Sequence, residues 1–174
     1  MATIIRGSDN FDTSAAGKVL QVVSTSKTTT WSSSLNAGQQ TGITGLSASI
    51  TPSSTSSKIM IWVSLNMARG GNYPIGAFSI SRDGNLIATG PADSSRSRVT
   101  SASLIVQADA NSTVSLSGNY LDSPSSTSAV TYQVNAVNTS GASRTLYVNS
   151  GAAHSTDAGG TRPIATITLM EIAG

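Results

Sequence analysis

The chain carries one histidine, His154, and one glutamate, Glu171, so the groups that usually perform general acid–base catalysis are scarce. His154 stands three residues before Asp157 among many serines, the residue types of a Ser/His/Asp hydrolase. Such a site needs a presented nucleophile, and the chain contains no Gly-x-Ser-x-Gly elbow. His154 lies instead in the run Ser150 to Gly160, which reads as a polar loop, with surface contact as its functional option. No catalytic residue is assigned, and the chain reads as non-enzymatic.

Asp9-Asn10 with Asp12 offers oxygen ligands, but the spacing falls short of a calcium loop and reads as an Asx-rich turn. Gly70-Gly71-Asn72 and Gly159-Gly160 are turns, since no strand–glycine loop–helix unit surrounds them. Neither a metal nor a cofactor is expected. Arg69, Arg82, Arg96 and Arg98 are close in sequence, yet the net charge is only +2 and no aromatic residues interleave them. That argues against nucleic acid. Arg96 and Arg98 are candidate contacts for an acidic polysaccharide or a neighbouring particle protein. Among the rings, Trp31 follows Lys27-Thr28-Thr29-Thr30 and precedes three serines, so it and then Tyr73 are the candidates for surface contact, with ordinary packing still favoured for each. Trp62 sits in an alternating apolar segment and is expected to pack.

These residues need a scaffold, and composition narrows it. A chain of 174 residues is one domain, or a domain with an arm. Charged residues are 10% of it, against roughly 25% in ordinary soluble chains, while Ser and Thr fill about 53 positions. Such a chain is neither a charged helical bundle, a coiled coil nor an acidic disordered tail. Apolar runs such as Ile59–Val63 are five residues, far below the ~20 that span a bilayer as a helix, and no secretory leader is read at the start. Without cysteine there are no disulfides and no thiolate ligands.

Period-two alternation runs through nearly the whole sequence. Val19–Val23, Leu46–Ile50, Ile59–Leu65, Val99–Val106, Thr113–Leu116, Ala129–Val137, Arg144–Val148 and Ile164–Ile172 read as strands. Phe78–Ser81, Arg82-Asp83-Gly84-Asn85 and Leu86–Ala88 form a hairpin about an Asp-Gly turn. Residues 138–143 read as a polar hairpin loop. Ile59, Ile61, Val63 and Leu65 point one way and Met60 and Trp62 the other, which predicts a central strand covered on both faces. Nine or ten short strands with regular turn signals mean an all-β sandwich or barrel. The closing apolar segment is expected inside a sheet.

Residues 1–16 are polar, with Ile4, Ile5 and Phe11 as isolated anchors. The composition fits a docking arm ahead of a sandwich domain over 17–174, and fits a frayed terminus equally. Few aromatics and little charge both favour an oligomer, since a small β domain gains stability by association and lacks charged guards against it.

Gly17–Val23, Leu46–Ile59, Ser81–Gly84, Tyr120–Pro124, Thr131–Val134 and Ile167–Ile172, in that order, resemble a module of bacteriophage virion proteins. The likeness is to tail-fibre tips, head fibres and capsid decorations, especially of phages of cyanobacteria and other marine bacteria, and covers residues 17–174. It implies a jelly-roll-like β-sandwich that forms a homotrimer on the virion surface. The implied partners are capsid, collar or tail proteins and host surface polysaccharide, with no membrane and no cofactor. A fibre-type appendage leads, with capsid decoration close behind. A carbohydrate-binding module, marked by exposed Trp31 or Tyr73, is the reading from another class.

Overall fold

The computed structural model describes residues 17–69, 75–104, 113–152 and 161–174. Eleven strands run through them: β1 (Val19–Lys27), β2 (Trp31–Leu35), β3 (Gln40–Ile50), β4 (Lys58–Arg69), β5 (Ile75–Arg82), β6 (Asn85–Ile87), β7 (Ser101–Leu104), β8 (Val114–Asp122), β9 (Val130–Val137), β10 (Arg144–Val148) and β11 (Ala165–Ile172). All pairings are antiparallel and make two sheets. One sheet runs β1-β11-β4-β8, the other β3-β9-β5-β7. Successive strands pass back and forth between the sheets in the order of a jelly roll, two Greek keys wrapped into one sandwich. The expected fold class is the observed one.

β4 is the centre. Its inner side chains Ile59, Ile61, Val63, Leu65 and Met67 are wholly buried. Opposite them lie Ile43, Leu46, Phe78, Ile80, Tyr132 and Val134 from the other sheet. One edge of β4 pairs with β8 throughout, and the other pairs first with β11 and then with β10. β10 in turn pairs with β2, so β2 and β10 extend the sheet beyond the ends of β1 and β11. Asn149 secures that break. In left-handed backbone at φ 61°, it donates from its backbone N–H to Asn66 O (3.1 Å) and from Nδ2 to Lys27 O (2.8 Å) and Thr29 O (3.2 Å).

Three expectations needed correction. β2 was not anticipated, because Trp31-Ser32-Ser33-Ser34-Leu35 alternates through serines and reads as a loop. Residues 138–143 are no hairpin loop: β9 belongs to one sheet and β10 to the other, so the segment crosses the sandwich. Asn138 holds the crossing by donating to Leu35 O, Asn36 O and Ala142 O at 2.9–3.0 Å. Trp62 does not pack inside; it is 53% exposed. β4 is central within its sheet, but a two-layer sandwich covers only one face of it. The Asp83-Gly84 turn is as read, with φ of 48° and 84° at its central residues, the type I′ signature.

Gly118 in β8 faces the core, where an added Cβ would meet Phe78 Cζ at 3.0 Å and Thr100 Cγ2 at 3.4 Å. Gly118→Val is therefore expected to cost about 1–3 kcal/mol in urea unfolding. Ser117→Val, on the exposed side of the same strand, is expected to stay within about 0.5 kcal/mol.

Candidate interaction surface

The two outer faces of the sandwich differ in kind. On the β3-β9-β5 sheet the outer side chains Ser79, Ser81 and Asn135 are buried yet polar. Ser79 donates to Gln40 Oε1 at 2.8 Å, and Asn135 Nδ2 reaches Ser81 Oγ at 3.2 Å. On the β1-β11-β4-β8 sheet the outer face is open and carries an apolar patch flanked by neutral Ser, Thr and Asn. Register places Val22, Met170, Met60 and Leu121 side by side across all four strands. Val22 is 57% exposed and Leu121 43%. Trp62 stands one outward step along from Met60, between Thr168 and Asn119. At the other flank Val19 pairs with Ile172, and Leu20 protrudes at a bulge in β1. Sequence reading missed this surface. Its signal was present: Met60 and Trp62 in β4 and Met170 and Ile172 in β11 are apolar on the phase opposite the core residues, while a two-layer sandwich buries one phase.

The inner row just beside it is polar and closes one end of the core. Gln21, Glu171, Ile59 and Asp122 are neighbours across β1, β11, β4 and β8. Glu171 is fully buried and accepts from Gln21 Nε2 (2.7 Å), Ser53 N (2.7 Å) and Ser53 Oγ (2.6 Å). Burial alone would raise its pKa, but the donors from Ser53 and Gln21 outweigh it and hold the carboxyl down at about 2. Asp122 clasps the sheets together, pairing with Arg82 Nη1 and accepting from Tyr132 Oη, both at 2.7 Å. Its hydrogen bond raises the Arg82 pKa. Burial, then the bond donated to Asp122, pushes the Tyr132 phenol well above its ordinary range. Both carboxylates are thus engaged by structural donors. Among the described residues no group of three or more His, Asp or Glu is placed to hold a metal.

The residues singled out from sequence are scattered. Trp31 points inward and is half-buried against the core, as the favoured packing reading has it. It still borders an open cleft of about 290 Å³ with Thr30, Ser32, Tyr147 and Ser150. Arg96 is exposed and pairs with Asp93 at 3.3 Å, while Arg98 Nε donates to Gly90 O at 2.8 Å. Arg82 is drawn away from them into its pair with Asp122, so the arginines near in sequence do not all form one free patch. Ile4, Ile5, Phe11, Tyr73 and His154 lie outside the described residues.

No known protein family matches this chain, and no curated protein matches it. Among solved structures, it is similar to a chain in the structure of infectious bursal disease virus Gt strain, at 11% identity and TM-score 0.48. It is also similar to one in the Gx strain of that virus, at 11% identity and TM-score 0.41. A third is in the crystal structure of the virus's VP2 subviral particle, at 13% identity and TM-score 0.39. These alignments cover 98–99% of this chain but only 42–44% of the others, so the chain spans less than half their length.

Two consequences can be measured. Removing the inter-sheet clasp with Asp122→Ala is expected to cost about 2–4 kcal/mol in urea unfolding, because Arg82 and the Tyr132 hydroxyl lose their partner. Partial access of Arg82 to water keeps the loss below that of a fully enclosed pair. A carboxyl whose pKa is depressed in the fold stabilises fully above its unfolded pKa near 4.5, and that contribution fades as pH falls toward 2. Wild type is therefore expected to lose up to about 3 kcal/mol through Glu171 across that window. Glu171→Gln is expected to be less stable at pH 7 and to show a flatter acid limb.

Proposed function

We propose that this chain is a non-enzymatic structural protein of a bacteriophage particle, a component of a trimeric fibre-type appendage on its surface. The observation that carries the reading is the open apolar face on a sandwich whose buried carboxylates are committed to holding the fold. A protein that works by contact needs such a surface; a catalyst needs a cleft with free ionisable groups. The ordered resemblance over residues 17–174 supports the phage assignment. Residues 1–16, through Ile4, Ile5 and Phe11, would dock the protomer on a capsid, collar or tail protein. Several copies would then turn weak contacts into lasting attachment, to the particle and to host polysaccharide. Capsid decoration uses the same protomer and the same arm.

A carbohydrate-binding module is the second reading, favoured by the cleft that Trp31 and Tyr147 border. It expects a Trp31→Ala chain to lose glycan-array signal that wild type has.

Antibody against the recombinant chain, applied to density-purified particles of the phage that encodes it, tests the leading reading. Gold label on the particle surface and the chain among the particle's proteins by mass spectrometry are expected. Absence of the chain from pure, infectious particles would overturn it.

A further inference from the structure

We infer that a second copy of this chain covers the outer face of β1-β11-β4-β8, with Trp62 at the centre of the contact. The inference rests on the reading of the chain as a self-assembling structural protein and names the surface through which it assembles.

Seven large apolar side chains are exposed among the described residues; four of them (Val19, Val22, Trp62 and Leu121) take outward positions on this one face, and Leu20 is exposed at the bulge beside them. They are therefore a continuous patch rather than the scattered exposure that any surface shows. Four strands at ~4.8 Å spacing and nine residues at ~3.3 Å rise make the face about 19 Å by about 30 Å. The apolar rows and the neutral Ser, Thr and Asn rows beside them together approach the ~800 Å² per partner of a standard interface. An interface of this size gives reversible association, to be strengthened by copy number on a particle.

The chemistry of the face selects the partner. Beside the apolar row run neutral side chains, Ser24, Thr168 and Asn119, then Thr166, Ser64 and Ser117. Lys58 is the one charged residue paired across these rows, and no carboxylate points outward from them. An acidic or basic partner finds nothing to match. A flat, neutral, apolar sheet is matched by others of its kind, and three such sheets meeting about a threefold axis would each bury this face in the proposed trimer. The other described surface lacks such a patch, since the opposite sheet is faced with hydrogen-bonded Ser and Asn. Trp62, a rigid aromatic between Met60 on one side and Thr168, Asn119 and Ser64 on the others, has the composition of an interface anchor.

Sedimentation velocity of the full chain from about 1 µM to about 200 µM, in low and high salt, tests this. Mass is expected to rise with concentration to a defined oligomer, without weakening in high salt. Trp62→Ala is expected to raise the dissociation constant about 30-fold or more, and Trp62→Asp to leave a monomer with an unchanged circular dichroism spectrum. In a Trp31→Phe background, Trp62 emission is expected to shift to the blue in step with mass. An oligomer that survives Trp62→Asp would overturn the inference, as would a monomer with red emission at every concentration. Blue emission in a monomer, abolished by joint Ile4→Ser, Ile5→Ser and Phe11→Ser, would assign the face to the chain's own leading segment and overturn it too. Particle labelling is independent of all these outcomes, so failure here leaves the particle assignment standing on its own test.

Discussion

Burial of Ile59, Ile61, Val63, Leu65 and Met67 along one side of β4 is the interaction on which the remaining structure depends. Five consecutive inward positions without a polar break require a full opposing layer, and the β3-β9-β5 sheet supplies it. Because side chains alternate strictly along a strand, the same five residues fix what the outward positions can meet. Lys58, Met60, Trp62, Ser64 and Asn66 must face away from the core. The apolar character of Met60 and Trp62 is then a property of the surface, continued on β11 by Met170 and on β8 by Leu121.

Polar groups define where that core stops. One step beyond Ile59's row the apolar interior gives way, and Glu171 and Asp122 take the two places beside Ile59 within the row itself. Each is surrounded by donors from separate parts of the chain: Gln21 and Ser53 for one, Arg82 and Tyr132 for the other. Burying a carboxylate without such partners would be costly, so these contacts fix register and the mutual position of the sheets. At the crossing between β9 and β10, Asn138 does comparable work with neutral groups. Much of the Ser content is explained in this way, as donors and acceptors that let a chain with few charges satisfy its loops.

The fold was largely legible in the sequence. Alternation gave β9, β10 and β11 close to their observed limits and the later half of β3 and the middle of β4, and Asp83-Gly84 announced its turn. What escaped followed from local blindness to sheet membership. The segment 138–143 joins two good strands by six polar residues, and nothing local distinguishes a hairpin from a crossing. Trp62 was misplaced for the same reason, while Trp31, for which packing was favoured, pairs with Val148 and faces the core. A ring among aliphatics looks buried, yet Trp62 occupies the outward phase of β4. Glu171 and Asp122 were passed over because their partners come from distant segments that only the fold unites.

The central claim is that this sandwich acts by burying its open apolar sheet in an assembly. Hydroxyl-radical footprinting read residue by residue tests it most directly, since Met60, Trp62 and Met170 are among the side chains that oxidise fastest when accessible. The account predicts that all three oxidise readily in the dilute chain and become strongly protected in the assembled particle, while Arg96 and its loop change little. Equal oxidation of Met60, Trp62 and Met170 in both states would contradict it.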